Sequence, residues 1–413
     1  MNRAIQTLID RGFYKNCTDI EKLSDLMDKG PVRFYLGIDP TGPSIHIGHT
    51  VPLYAIHHLQ LCGHEPIILA GGGTAMIGDP SGKTEMRKIL PLETILDNAS
   101  RLKKQIGNIM DFSDNPGPGV GKAIMRNNAD WLTKFGYIEF LRDIGAYFKV
   151  NEMLRLESVK QRLERQDGLT FLEFSYQLLQ SYDFLYLYQH EGCRMQIGGD
   201  DQWGNIVAGI DLTRKVEGAE CYGLTFNLIT RADGKKMGKS EKGAVFLDPA
   251  MYSPYDYYQY WRNVNDADVV KFLKLFTFLP LEEIEVYGNS DVDINEAKKR
   301  LAYEQTKLIH GQEEADKAVA AAKAAFGGGA DRSAMPTVEI ELGDGMGIIS
   351  LFAAAGIGGS SNSEIRQIVQ GGGAYVNDIP VKDPRTVITK DFVKDGEIIL
   401  RAGKKNYRRV VVK

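Results

Sequence analysis

The stretch from Arg33 to Ile56 most constrains the fold, because a short apolar run passes through a proline- and glycine-rich break directly into a helical pattern. Arg33 to Ile38 alternates apolar bulk with small residues, Pro40, Gly42 and Pro43 interrupt it, and Ile47, Val51, Leu53 and Ile56 resume at helical spacing. That order predicts strand, tight loop and helix. In an open parallel sheet such a loop lies at the carboxyl end of its strand, where unpaired backbone N–H groups and the helix dipole favour phosphate. His46 and His49 flank Gly48 at the helix start, so a flat base can approach the glycine while the imidazoles donate to phosphate or ribose oxygens. Two histidines three residues apart can also merely finish a helical turn. As a metal site the pair is incomplete, since no carboxylate or third histidine follows at ligand spacing.

Pro66 to Ala70, Ala123 to Met125, Arg194 to Ile197 and Leu224 to Ile229 read as four further strands separated by helical patterns. Five such strands predict an α/β fold with a Rossmann-like, doubly wound parallel sheet. Residues 1–32 read as an amphipathic helical lead-in that carries no visible chemistry. A chain of 413 residues exceeds one ordinary core, so two or three domains are expected. Cys17, Cys62, Cys193 and Cys221 form no C-x-x-C pair, which fits a reducing compartment. With no apolar run of roughly 18 residues and no leader-like N-terminus, a soluble cytoplasmic protein without membrane contact is expected.

Four later motifs carry possible chemistry. The loop G-G-G-T-A-M-I-G-D-P-S-G-K-T after Ala70 is not a P-loop, because Ile77 stands where that pattern needs its first glycine. Its glycines can instead bring backbone near a ligand, with Asp79 facing a cation and Lys83 and Arg87 reaching an anion, or simply form a turn. On the helix Phe171–Tyr188, Tyr176, Gln180 and Asp183 share one face, which meets either solvent or a polar ligand. In Q-I-G-G-D-D-Q-W-G-N, Asp200 and Asp201 cap a helix or bind ribose. Lys235, Lys236 and Lys239 crowd the loop R-A-D-G-K-K-M-G-K-S, either as solvated charges or as a clamp on polyphosphate.

The aromatic stretch Trp131–Arg155, with Phe135, Tyr137, Phe140, Tyr147 and Phe148, is either core packing or a symmetric subunit contact. Beyond residue 245 the pattern turns helical to Phe326, and a glycine-rich linker opens at Gly327. Net charge is −4, yet Lys382 to Lys413 carries ten Lys or Arg against four Asp or Glu. A small basic α+β unit so placed suits binding to a phosphate backbone, the plainer alternative being a solvated tail. The expected division is 1–229 for the catalytic domain with its inserted helical region, 230–326 for the lysine loop and helical domain, 327–345 for the linker, and 346–413 for the RNA-binding domain.

The strings Y-L-G-I-D-P-T, H-I-G-H, I-G-D-P-S-G-K, Q-L-L-Q-S-Y-D-F and Q-I-G-G-D-D-Q-W-G-N, in this order, resemble those of the bacterial tyrosyl-tRNA synthetases, within the class I aminoacyl-tRNA synthetases. The resemblance implies activation of L-tyrosine with ATP and transfer of tyrosine to tRNA(Tyr), with Mg2+ accompanying ATP and no protein-bound metal. It implies that Tyr35 and Asp183 hold the substrate phenol, that Asp79, Tyr176 and Gln180 hold its ammonium group, and that Asp39 and Gln202 support the amino-acid end. By the same resemblance Gly37, Gly48, Gly199, Asp201 and Ser240 would contact ATP, while Thr41, His46, His49, Lys83, Arg87, Lys236 and Lys239 would contact the phosphates during catalysis. It further implies a homodimer joined through the inserted helices, a helical domain on the anticodon side of tRNA, and a tail of the ribosomal-protein RNA-binding type. One departure is Gly238, where the class signature K-M-S-K-S has serine; Leu36 and Pro52 occupy positions that vary in the family. The runner-up reading is a tryptophanyl-type synthetase, separated by the pair Tyr35 and Asp183, and a third is a non-catalytic RNA-binding protein that keeps the synthetase shell.

Overall fold

The computed structural model describes residues 1–79, 90–164, 169–227, 229, 232, 237–240, 243–289, 291–326, 335–359, 361–394, 396–403 and 406–413. The chain begins α1 (Arg3–Arg11), β1 (Tyr14–Cys17), α2 (Ile20–Asp28), β2 (Arg33–Ile38), α3 (Val51–Leu61), β3 (Glu65–Ala70), α4 (Leu92–Ile106) and β4 (Ile124–Asn127). Short helices α5 (Ala129–Leu132), α6 (Tyr137–Asp143), α7 (Val150–Met153) and α8 (Glu157–Glu164) lead into α9 (Phe171–Glu191), β5 (Met195–Gly199), α10 (Trp203–Glu217) and β6 (Tyr222–Phe226). After the hairpin β7 (Lys239–Ser240) and β8 (Gly243–Ala244) come α11 (Pro254–Arg262), α12 (Val269–Phe276), α13 (Leu281–Val286), α14 (Ile294–His310) and α15 (Gln312–Phe326). The tail contains β9 (Thr337–Ile340), β10 (Met346–Gly347), α16 (Ile348–Ala354), α17 (Asn362–Gln370), β11 (Ala374–Val376), β12 (Ile379–Val381), β13 (Val387–Ile388), β14 (Glu397–Ala402) and β15 (Asn406–Val412).

These elements form two compact units, Met1–Met237 with Asn265–Val292, and Gly238–Val264 with Asp293–Lys413. In the first, the sheet order is β1-β6-β5-β2-β3-β4. All five expected strands are parallel, and β2 is central, with Phe34 opposite Met195 on one side and Pro66 on the other. The chain winds outward from β2 through β3 and β4, then returns to build β5 and β6 on the opposite flank. A crevice therefore opens between the carboxyl ends of β2 and β5, where ligands bind in sheets of this kind.

The amino-terminal lead-in is not wholly helical. Residues Tyr14–Cys17 form an edge strand antiparallel to β6, with Tyr14 opposite Phe226 and Cys17 opposite Leu224. Four residues containing an exposed Lys15 and Asn16 give no legible alternation; the unpaired edge of β6 selects them as a strand. The fifth expected strand also ends earlier, at Phe226.

Helix α9 carries Tyr176, Gln180 and Asp183. Thr170 begins it with a capping box, accepting from the Glu173 N–H while Glu173 receives the Thr170 N–H, and Gly192 ends it at φ 66°. In the second unit the tail sheet runs β12-β11-β14-β15-β9, with β15 and β9 parallel. Its inner face packs Val376, Ile398, Leu400 and Val410 against Leu351, Phe352, Ile365 and Val369 of the two tail helices, giving the expected α+β unit. Asn377 and Asp378, at φ 49° and 63°, make the tight turn between β11 and β12.

Candidate active site

The polar face of α9 is turned largely away from solvent, with Tyr176 and Asp183 buried and Gln180 half-buried. Asp183 is only 3% exposed, and its two oxygens accept from the Trp131 indole N–H at 2.8 Å and the Asn128 amide at 2.9 Å. Burial pushes its carboxyl up to about 7, against the lowering effect of those two donors. Tyr35, on the central strand, is 1% exposed and its ring meets Phe184 edge-on at 5.4 Å. The Tyr35 hydroxyl is buried with no hydrogen-bond partner among the described residues. Burial first, then the nearby Asp183, holds its proton on well above the usual phenol range. An orphaned buried hydroxyl near an anchored carboxyl is costly unless a ligand supplies the missing bond.

A second cluster lies at the loops after β2 and β3. Tyr176 donates to Asp39 Oδ2 at 3.3 Å, and Thr74 donates to Asp39 Oδ1 at 2.9 Å. Asn128 donates to the Thr74 hydroxyl at 3.0 Å and accepts the Gly73 N–H at 2.7 Å, joining both clusters. Gly71 makes this possible, because a Cβ there would stand 2.0 Å from Asp39 Oδ1 and 2.5 Å from Thr74 Oγ1. The first glycine of the triple thus admits the Asp39 carboxylate, a tighter demand than a turn alone makes.

Gln202 organises the next group. It donates to Asp79 Oδ2 at 2.8 Å and accepts from Gln180 at 3.4 Å and Asn205 at 3.1 Å. Asp201 is exposed to solvent, yet the protein mass packed around it, and then the neighbouring Asp79, push its carboxyl up, with the Gln202 hydrogen bond opposing. Asp200 has a structural task, accepting from Asn16 at 2.9 Å and Thr225 at 3.0 Å, so the paired aspartates divide between the sheet edge and the crevice.

At the carboxyl end of β2, His46 precedes a short 3-10 turn, Ile47–His49, and its Nδ1 accepts the Gly48 N–H at 3.1 Å. The rings of His46 and His49 lie 3.8 Å apart. A Cβ on Gly48 would meet the Met237 carbonyl at 2.7 Å and His46 Cε1 at 2.9 Å, whereas one on Gly37 would meet nothing within 4 Å. Thr41 is exposed at the loop, its N–H donating to the Asp39 carbonyl at 2.8 Å. Gly199 is the extended residue before the turn Asp200–Gln202.

Lys83, Arg87 and Lys236 lie outside the described residues. Lys239 and Ser240 form β7 of the other unit, and their side chains also lie outside the description. Gly238, just before them, has φ +90°, a conformation that serine adopts rarely, so the departure at this position suits the local backbone. Sequence reasoning missed Thr74, Asn128 and Trp131 as members of the site. Asn128 directly follows β4, a strand-end position that could have drawn attention, but nothing in the spacing connects Trp131 to a carboxylate 52 residues away.

A family model described as tRNA synthetases class I (W and Y) matches residues 27–327, and one described as the tyrosine–tRNA ligase SYY-like C-terminal domain matches 329–410. A tyrosine–tRNA ligase of Treponema denticola is 54% identical over 415 residues, covering 100% of both chains. One from Acetivibrio thermocellus is 51% identical over 414 residues, covering 99% of each. Among solved structures, the C-terminally truncated mitochondrial tyrosyl-tRNA synthetase of Aspergillus nidulans matches with a TM-score of 0.68 and 31% identity, over 76% of this chain and 92% of that one. A tryptophanyl-tRNA synthetase of Encephalitozoon cuniculi matches with a TM-score of 0.56 at 16% identity, over 76% and 87%, a likeness of fold alone.

Proposed function

The chain belongs to the class I tRNA synthetases of the tryptophan and tyrosine type and acts as a tyrosine–tRNA ligase, and from that premise we propose how its residues divide the work. The observation that carries the proposal is the orphaned Tyr35 hydroxyl beside the anchored Asp183 carboxyl. A substrate phenol both donates and accepts, so it satisfies the two at once. The indole of tryptophan has a single N–H and no acceptor, so it can satisfy one of the two groups and leaves the other without a partner. Asp79, Tyr176 and Gln180 receive the ammonium group, and Asp39 and Gln202 hold the amino-acid end against them. Amino-acid-dependent exchange of pyrophosphate into ATP tests the reading: tyrosine supports exchange, while tryptophan and phenylalanine do not. Equal exchange with tryptophan would move the assignment to the runner-up, and no exchange at all would favour the non-catalytic shell.

No side-chain nucleophile is required. The tyrosine carboxylate oxygen attacks the α-phosphorus of ATP in line, the bond to the β-phosphate bridging oxygen breaks, and pyrophosphate leaves with its electron pair. A terminal ribose hydroxyl of tRNA(Tyr) then attacks the tyrosyl carbonyl, AMP departs, and the hydroxyl proton is released. The protein aligns these groups and stabilises charge moving onto pyrophosphate. Gly37, Gly48, Gly199 and Asp201 accommodate the adenosine, with Ser240 at the phosphate end. Thr41, His46, His49, Lys83, Arg87, Lys236 and Lys239 face the phosphates. Magnesium enters bound to the phosphates of ATP as part of the nucleotide substrate.

A pH dependence follows from Asp183, whose carboxyl is raised to about 7. Below that pH the free enzyme takes up a proton, and an acceptor oxygen becomes a donor facing the Asn128 or Trp131 N–H. The kcat/KM for tyrosine activation is expected to fall by about tenfold per pH unit on the acid side and to level off above it. Phenylalanine activation, lacking the hydroxyl, should vary much less between about pH 6 and 8. Parallel profiles for the two amino acids would detach this titration from the phenol site.

The boundaries 1–229, 230–326 and 346–413 serve as the functional division, with the helical domain on the anticodon side and the tail on the RNA backbone; of the expected linker 327–345, Thr337–Ile340 is built into the tail sheet as β9 beside β15. A homodimer is supported by the apolar surface of the inserted helices, where Tyr137 and Ile138 are 64% and 72% exposed, and by Phe171 at the start of α9, 64% exposed. Phe135 and Phe140 of the same region instead pack edge-on around Tyr182. No helix among the described residues is long and apolar enough to cross a membrane; a cytoplasmic setting matches the reduced cysteines and the tRNA substrate.

A further inference from the structure

Within the second unit, β15 of the tail meets the start of α11 through a polar contact that the reaction does not use. Arg408, opposite Leu400 in the tail sheet, reaches Asp256 with Nη2 3.7 Å from Oδ2 and donates to the Gly356 carbonyl at 3.4 Å. The two side chains are 13% and 17% exposed. Asp256 is held by the helix start itself: the Ser253 hydroxyl donates to its Oδ2 at 2.7 Å and accepts its backbone N–H at 3.1 Å. Beside it, the buried Tyr255 phenol is pushed up to about 12, by burial first and then by Asp256, with Tyr407 raising it and Arg408 lowering it. The contact continues into the sheet, where Arg401 lies 3.5 Å over the Tyr375 ring and 5.8 Å from that of Tyr407.

A carboxylate and a guanidinium withdrawn from water gain little net stability, because desolvation offsets much of their attraction and apolar residues would pack as well. A charge pair adds direction. The connecting sequence G-G-G-A-D-R-S-A-M-P has the composition of a flexible linker and would not orient the tail by itself. We propose that Asp256 and Arg408 are positioning residues for the tRNA-dependent step, fixing the tail against the first turn of α11 so that it meets the RNA already oriented. This rests on the reading of the tail as an RNA-binding domain. Neither residue is among those assigned to tyrosine or ATP. A pre-oriented module avoids the ordering cost that a loosely tethered one incurs on binding. Arg408 thereby leaves the set of tail cations offered to RNA phosphates, since its charge is answered within the protein.

The test uses the full-length enzyme with Asp256→Asn, Arg408→Gln and the charge-exchanged double variant Asp256→Arg/Arg408→Asp. Each single substitution is expected to raise the KM for tRNA about fivefold or more, leaving pyrophosphate exchange and the KM for tyrosine within about twofold. The exchanged pair should recover most of the tRNA KM. Asp256→Asn is the decisive variant because it keeps an oxygen for the Ser253 cap. If Arg408 instead bound RNA directly, releasing it from Asp256 would lower the tRNA KM, and that result overturns the proposal. So do an unchanged KM, an exchanged pair that recovers nothing, or an equal fall in pyrophosphate exchange. Deletion of residues 346–413 runs in parallel: unchanged charging there defeats the RNA-binding reading, whereas impaired charging with normal single variants defeats only the positioning pair.

Discussion

Asp183→Asn is expected to reduce tyrosine activation by roughly 10- to 150-fold, the range for losing a hydrogen bond to a charged group, while phenylalanine activation changes far less. The carboxylate has two oxygens, each already accepting one N–H, from Trp131 and Asn128, and each retaining a lone pair for a ligand hydroxyl. An asparagine keeps one acceptor only. Its NH2 group must then face the Trp131 or Asn128 donor, which tilts the amide and takes the remaining acceptor away from the phenol. Tyrosine therefore loses its partner and meets a displaced group, while phenylalanine had nothing to lose. Pyrophosphate exchange at saturating ATP, read as kcat/KM for each amino acid, measures the effect. Equal proportional loss with both substrates would place Asp183 in the support of the crevice and not on the phenol. The substitution should also abolish the acid-side fall in the tyrosine profile, since the titrating group is gone.

Removing Met346 to Lys413 is expected to leave adenylate formation intact and to lower tyrosyl transfer to tRNA by about 10²-fold or more. The groups assigned to tyrosine and ATP all precede Gly243, and the tail has its own core of Phe352, Ile365, Val369, Leu400 and Val410. Its surplus of basic residues acts on a polyanion through counterion release, which is steep in salt. Pyrophosphate exchange beside tRNA charging, repeated over a salt series, separates the two tasks. The intact enzyme should lose tRNA affinity with salt more steeply than the truncated one. Parallel salt slopes would remove the tail from the RNA phosphates, and equal loss in both assays would make it a support for the catalytic core. Not every tail cation contributes, because Arg409 is paired with Glu397 as Arg408 is with Asp256.

The legible parts of the molecule share a physical cause. The parallel strands β3, β5 and β6 announced themselves because strands buried on both faces must be apolar throughout, while the part-buried edge strand β4 gave a shorter signal, and Pro40, Gly42 and Pro43 mark where β2 gives way to the site loop. The stripe Tyr176, Gln180 and Asp183 was readable because helical period alone puts those residues on one face. Its destination was not readable from period, since a polar face serves solvent and ligand equally well until the sheet is laid against it. Lys83, Arg87 and Lys236 rest on motif resemblance alone.

By itself, the sequence determined the parallel strands with their site loop after β2, the shared face of Tyr176, Gln180 and Asp183, and the basic surplus of the tail, since each follows from local period, composition or strand-end chemistry. Only the tertiary structure decided that Trp131 and Asn128 grip Asp183, that Gly71 yields its Cβ space to Asp39, that Tyr14–Cys17 completes the sheet edge, and that Asp256 answers Arg408. Each of these joins residues far apart in the chain. Such contacts are fixed by packing and by the cost of leaving a buried polar group unpaired, quantities that exist only once the elements have come together.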